Sequence, residues 1–269
     1  MEQQKSRFSL NAFQIKVLAL FFYIAGKSLI QISYLHLEGE TFSSLLWTVL
    51  FIAGNFMHLM AVPMIALLTV EAVMKTRNLR QYFTRLGFAA VLTEILLDLA
   101  AYGGKCFDFS HGFLENPAIK ADLNFYFTLI IGSVAVVLMD RVINKRFRAG
   151  SVPYVLLNVL VILVSCFLAQ VPTGLRCEQG GLGVLMMCAV YFFYGNPLIT
   201  LIVIAVLQVI ALGSNFLLVL APILGGLTIL FYNGNEGRKT GLIRLVTYIA
   251  YPICYGILIF VLGIVGGRT

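Results

Sequence analysis

An all-α, polytopic membrane helix bundle is the fold class this sequence predicts, and three observations predict it. Of 269 residues, 60% are hydrophobic and 12% are charged, whereas an ordinary soluble domain carries about 25% charged residues. Apolar runs close to the roughly 20 residues needed to cross a hydrocarbon core recur from one end of the chain to the other. Lysine and arginine, finally, collect in the short loops between those runs.

Nine segments follow in order. Residues 13–33 form the first, and no small-residue cleavage pattern follows it, so it is expected to remain as a membrane helix. Residues 43–74 exceed one crossing and predict a helix that is tilted, or broken near Pro63, because proline removes a backbone hydrogen bond and crowds the preceding turn. Residues 84–103 make the third segment, 123–143 the fourth and 153–171 the fifth. Residues 180–194 and 197–213 are short and meet at Tyr194-Gly195-Asn196-Pro197, where a tight turn or a re-entrant pair fits as well as two full crossings. Residues 215–232 and 243–265 complete the set. The polar stretch from Lys105 to Asn124, with Asp108, His111, Glu115, Asn116, Pro117, Lys120 and Asp122, would cap one face. No heptad, internal repeat or low-complexity tract interrupts the pattern, so residues 1–269 read as a single transmembrane domain.

Positive loops stay cytoplasmic. With nine crossings and a cytoplasmic amino terminus, 14 of the 19 basic residues fall inside and 5 fall outside or in the membrane. Losing a crossing at Asn196 would put Arg238 and Lys239 outside, which is the weaker solution. The net charge of +7 is thus a topology signal and an attraction to anionic lipid. Charges scattered over several short loops are no nucleic-acid footprint.

Ionisable groups inside apolar segments are rare and usually functional. Here they are Lys27, Glu71, Glu94 and Asp98. Glu94 and Asp98 share one helix face one turn apart. Glu71 lies near the inner end of the second segment, within i,i+4 reach of Lys75. At ~1.5 Å per residue, Lys27, Glu94, Asp98 and His58 fall roughly 21, 12, 18 and 24 Å from the inner surface. Lys27, His58 and Asp98 are therefore expected to meet in the outer half, with His58 as general base, Asp98 orienting it, and Lys27 or Glu94 tuning the charge. The competing reading is a Lys27–Asp98 pair that ties two helices together.

Other features are weaker. Three histidines, at 36, 58 and 111, are too few and too scattered for a zinc site, and no Walker A or Rossmann pattern is present. Of five cysteines, Cys106 and Cys177 sit in loops and could pair if both faced an oxidising compartment. Asn55, Asn158, Gln208 and Asn215 read as interhelical hydrogen bonders. Tyr191-Phe192-Phe193-Tyr194 reads as an interface belt.

Several motifs, taken in order, carry a resemblance. They are Val62-Pro63-Met64 through Thr69-Val70-Glu71, then Lys75-Thr76-Arg77-Asn78-Leu79-Arg80, Thr93-Glu94-Ile95 with Asp98, Asn124-Phe125-Tyr126-Phe127, Gly180-Gly181-Leu182-Gly183, Phe231-Tyr232-Asn233-Gly234 and Tyr251-Pro252. Together they resemble the TraX family, which includes proteins that acetylate the amino terminus of conjugative pilin. Departures accompany the matches. Phe22-Tyr23-Ile24-Ala25-Gly26 replaces a stretch that carries an Asp-His pair in the family, Leu59 replaces an arginine, and Cys254 replaces a histidine after the last Tyr-Pro. His58, beside Leu59, is a candidate substitute.

The resemblance implies a bacterial inner-membrane acyltransferase that takes an acetyl or short acyl group from acetyl-CoA, or another acyl-CoA, to an amine or hydroxyl such as a peptide amino terminus. The donor's phosphates would need basic residues at the inner mouth, and Arg77, Arg80, Arg85, Arg238 and Lys239 suit that role; Gly234 and Gly237 would let backbone amides approach an anion. The same cations are what the positive-inside pattern demands of any polytopic protein. A second reading is a relative that has lost the chemistry and serves as a membrane binding or assembly subunit, with a protein partner or as a homo-oligomer. A transporter ranks last, because no inverted repeat is visible.

Overall fold

Backbone groups in lipid must be satisfied within the chain, and the computed structural model meets that demand with helices. It describes residues 9–33, 41–102, 122–171, 176–213, 215–237, 249–254 and 256–257. In order the helices are α1 (Ala12–Ser33), α2 (Thr41–Lys75), α3 (Leu79–Tyr102), α4 (Phe125–Val137, extended by a π-helical turn Leu138–Ile143 and a last turn Asn144–Arg146), α5 (Val152–Gln170), α6 (Gly180–Phe192), α7 (Pro197–Leu212) and α8 (Phe216–Phe231). Residues 249–254 are also helical. No β-strand occurs among the described residues; two isolated bridges, Leu10 with Tyr232 and Leu123 with Cys177, are the whole extended pairing there.

Among the described residues four helices are long and apolar enough to cross a membrane: Ala12–Ser33, Leu45–Lys75, Phe125–Arg146 and Val152–Gln170. This is a membrane protein. On α5, Val152, Leu156, Leu163 and Phe167 are each more than 60% exposed, a face that only lipid would solvate favourably. The 24-residue α3 is long enough but carries Arg80, Arg85, Glu94 and Asp98, and α6, α7 and α8 have only 13, 16 and 16 residues. The last predicted segment, 243–265, lies mostly outside the described residues.

The second segment is one continuous helix, not broken near Pro63. Its 35 residues continue through Pro63, about 52 Å of helix against a hydrocarbon core of about 30 Å. The carbonyl one turn before Pro63 loses its intrahelical donor, a loss that membrane helices tolerate through neighbouring groups.

Two compact units divide the chain. The first comprises Met1–Leu68 and Phe193–Thr269, and the second comprises Thr69–Phe192. In the first, the approach to α1 is sewn to the end of α8: Leu10 N donates to Phe231 O, Asn233 N to Leu10 O, and Ala12 N to Asn235 O. Asn11 and Gln14 exchange side-chain-to-backbone bonds at 2.9 Å each, a reciprocal capping box that satisfies two orphan amides at the start of α1. Close approaches between helices rest on glycine. A Cβ on Gly26 would lie 2.5 Å from His58 N, one on Gly54 2.8 Å from Gly26 O, and one on Gly225 2.0 Å from Met60 O. α7 packs on α8. In the second unit α4 packs on α3, α5 and α6, and α5 on α6; Gly132 of α4 leaves room for the Met187 side chain.

Candidate functional site

Within the first unit the best-defined cluster surrounds His58. Its ring is buried, 5% exposed, with its centroid 4.8 Å from that of Tyr23 at an interplanar angle of 53°. Tyr23 in turn meets Tyr251 edge-on at 4.8 Å and 70°. Both tyrosines are buried. Lys27 stands one turn beyond Tyr23 on α1 and is half-buried. The cluster is possible because Gly26 and Gly54 bring the α1 and α2 backbones into contact there, setting the imidazole against α1. A histidine and two tyrosines on three separate stretches are thus drawn together.

In the second unit Glu94 and Asp98 occupy one face of α3, both half-buried. Glu94 Oε2 accepts from the backbone N of Asn124 at 2.9 Å and from its Nδ2 at 2.6 Å. The same Nδ2 donates to Ala90 O at 2.8 Å, and Asn124 Oδ1 accepts from Tyr126 N at 2.9 Å, capping α4. Asn124 is 2% exposed. One buried side chain therefore joins the start of α4 to α3 and anchors the carboxylate. Asp98 accepts no hydrogen bond among the described residues. Lys27 and His58 belong to the first unit and Glu94 and Asp98 to the second.

The loops at this end of the second unit are tied by backbone pairing. Leu123 N donates to Arg176 O, Glu178 N to Leu123 O, and Cys177 N to Ala169 O. An exposed bidentate ion pair, Arg176 with Asp122, lies over it at 2.5 to 3.1 Å. Cys177 is a free thiol that is 1% exposed, and Cys106, with which it could pair in an oxidising compartment, lies outside the described residues. Burial pushes the Cys177 thiol up to about 11, with nearby Glu94 and Asp122 carboxylates adding to the shift and the neighbouring Thr128 hydroxyl opposing it. Raised above its ordinary value of 9.0, the folded thiol keeps its proton where the unfolded one loses it. Stability from this group is thus full below pH 9 and declines as pH rises from 9 toward 11. Alkylation of Cys177 in the native protein is expected to be slow at pH 7.5 and to accelerate near pH 11, while the denatured chain reacts at once; mass spectrometry of the labelled peptide checks it.

At the other end, Lys75 Nζ donates to Glu71 Oε1 as the spacing predicts, and Glu71 is buried. Arg77 and Arg80 are exposed and Arg85 half-buried, whereas Arg238 and Lys239 lie outside the described residues. Arg141 Nη2 donates to Thr76 O at 2.6 Å and Val73 O at 3.2 Å, completing the C-terminus of α2.

Two readings of polar residues are corrected here. Tyr191 is no interface-belt residue: it is buried, and its hydroxyl accepts from Asn144 Nδ2 at 2.6 Å and faces Asp140 Oδ1 at 3.4 Å. Asp140 lies within the π-helical turn of α4 and Asn144 directly follows it, a widened turn that no periodicity in the sequence announces. Among the described residues Asn55 and Asn158 make no bond between helices; each donates to the carbonyl one turn back on its own helix, Phe51 O at 2.8 Å and Tyr154 O at 2.9 Å. The Asn124 anchor was also missed as a site component, although its position before an apolar run is a sequence signal for an N-cap.

Among the described residues no group of three or more His, Cys, Asp or Glu side chains is placed to hold a metal ion. Comparison of the chain with family models, with curated proteins and with solved structures gives no match.

Proposed function

We propose that this protein is an integral-membrane acyltransferase of the TraX type, transferring an acetyl or short acyl group from a cytoplasmic acyl-CoA to an amine or hydroxyl presented at the membrane. One observation carries the reading. Tyr23, His58 and Tyr251, which cluster in the first unit, come from the three stretches where the resemblance expects polar catalytic groups and this chain departs from it. His58 would act as the base that takes the acceptor's proton as the new acyl bond forms, and would return it to the coenzyme A thiolate released as the thioester C–S bond breaks, while Lys27 would favour the developing oxyanion. Arg77, Arg80 and Arg85, with Arg238 and Lys239, would hold the donor's phosphates. All nine apolar segments cross the membrane in this reading, with the amino terminus inside a bacterial cytoplasmic membrane.

The test is transfer of a labelled acetyl group, or hydrolysis of the donor thioester, by the purified full chain. His58→Ala is expected to lower the rate about a hundredfold or more, and Asp98→Asn, measured beside it, should also lower it. Wild-type rates in both variants would remove these residues as an active centre. The burial of His58 favours a second reading, a membrane binding or assembly subunit without chemistry. That reading expects a stoichiometric co-purifying partner and no change in thermal stability on adding acyl-CoA.

A further inference from the structure

A group of positive charges lies at one end of the second unit. Segments 71–85 and 140–148 carry eight cations and two carboxylates, against a net charge of +7 for the whole chain. Both carboxylates are engaged, Glu71 by Lys75 and Asp140 beside the Tyr191 hydroxyl. Arg141 is spent on the carbonyls of Val73 and Thr76, and in making those bonds it holds the loop that follows it beside the turn between α2 and α3. Lys145, Arg146 and Arg148 are left exposed, and among the described residues none of them makes an ion pair. Three such cations within four positions repel one another, so an anion is the partner they fit.

The surface next to them says which anion. Just before the cations α4 exposes Leu138 at 40% and Val142 at 39%, and just after them α5 begins with Val152 at 71% and continues with Val155 and Leu156. Apolar side chains on both flanks belong at acyl-chain depth, so the loop between them stands at headgroup depth. A soluble phosphate compound has no use for those flanks, whereas a phospholipid matches both parts.

We propose that Lys145, Arg146 and Arg148 form a binding site for the phosphate headgroup of an anionic lipid, its acyl chains lying along the exposed faces of α4 and α5. The inference does not depend on acyl transfer. It is tested on the full chain in neutral phosphatidylcholine nanodiscs titrated with spin-labelled phosphatidylglycerol. The wild type is expected to bind phosphatidylglycerol in preference to labelled phosphatidylcholine and to lose that preference at high salt. Each cation removed should weaken binding about fivefold, and K145Q/R146Q/R148Q together roughly a hundredfold. The charge-keeping K145R/R146K/R148K should stay near wild type. Equal binding of the two lipids, or full binding by the triple glutamine variant, overturns the proposal. So does binding of inorganic pyrophosphate in detergent as tight as that of phosphatidylglycerol, which would mark a site for soluble phosphates. If the glutamine variant does not fold, the wild-type salt dependence decides: a preference that survives high salt is not carried by these charges.

Discussion

Gly225→Ala is expected to destabilise the protein by about 3 kcal/mol or more, near or beyond the upper end of overpacking costs. The added Cβ would lie 2.0 Å from Met60 O, 2.8 Å from Met60 C and 3.0 Å from Met60 Cα. These are backbone atoms of α2, so no side-chain rotation relieves the overlap, and α8 must move away from α2. That shift would open the first unit where α2 also meets α1 through Gly54 and Gly26. Gly87→Ala is the control, because a Cβ there meets nothing within 4 Å. In mid-helix it should be neutral or stabilising by up to about 1 kcal/mol. Thermal unfolding in mild detergent, followed by fluorescence or by retention of the monomer on a sizing column, separates the two. Equal midpoints for Gly225→Ala and Gly87→Ala would mean that the α2–α8 approach does not limit stability.

This contrast also shows which parts of the fold are legible in the sequence. Every predicted apolar segment that the structure describes over most of its length is helical, with ends near the punctuation that predicts them, such as Pro197 opening α7 and Gly213 closing it. Lipid leaves the backbone few options, so hydropathy is enough to find helices. Gly225 and Gly87 are indistinguishable by that measure. What separates them is the helix that lies opposite, and a single chain gives no register between helices. The π-helical turn at Leu138–Ile143 escapes for a related reason: one extra residue in a turn leaves a uniformly apolar pattern unchanged.

Site residues were legible by type and less so by partner. Ionisable groups in apolar surroundings single out Lys27, Glu94 and Asp98 whatever the fold, and the i,i+4 spacing alone gives the Glu71–Lys75 bridge. His58 is a different case. Its neighbours Tyr23 and Tyr251 lie 35 and 193 positions away in the sequence, and two tyrosines in a chain containing twelve attract no notice. Tyr191 was misassigned by the same logic. An aromatic at the end of an apolar run fits an interface belt, but the Asn144 and Asp140 side chains that meet its hydroxyl come from a helix about fifty residues earlier.

Asn124 joins the start of α4 to α3 through three side-chain hydrogen bonds, and its loss should be felt accordingly. Asn124→Ala removes the side-chain acceptor for Tyr126 N, the donor to Ala90 O and the donor to Glu94 Oε2. An N-cap is worth about 1 kcal/mol, and a hydrogen bond to a charged group about 1.5–3 kcal/mol. A loss of about 3–4 kcal/mol is therefore expected, visible as a lower unfolding midpoint and faster proteolysis. Asn124→Ser keeps an oxygen for the cap and loses both Nδ2 bonds, so it should fall between alanine and wild type. Asn124→Asp also keeps the cap but sets a second carboxylate against Glu94, and at neutral pH it should be no better than alanine. A double-mutant cycle isolates the part that belongs to Glu94. If the cost arises from leaving a half-buried carboxylate without its best donor, Asn124→Ala will be milder by about 1 kcal/mol or more in a Glu94→Gln background. Additive effects would instead assign the whole loss to the cap and to Ala90, and Glu94 would then be a carboxylate that Asn124 touches without holding.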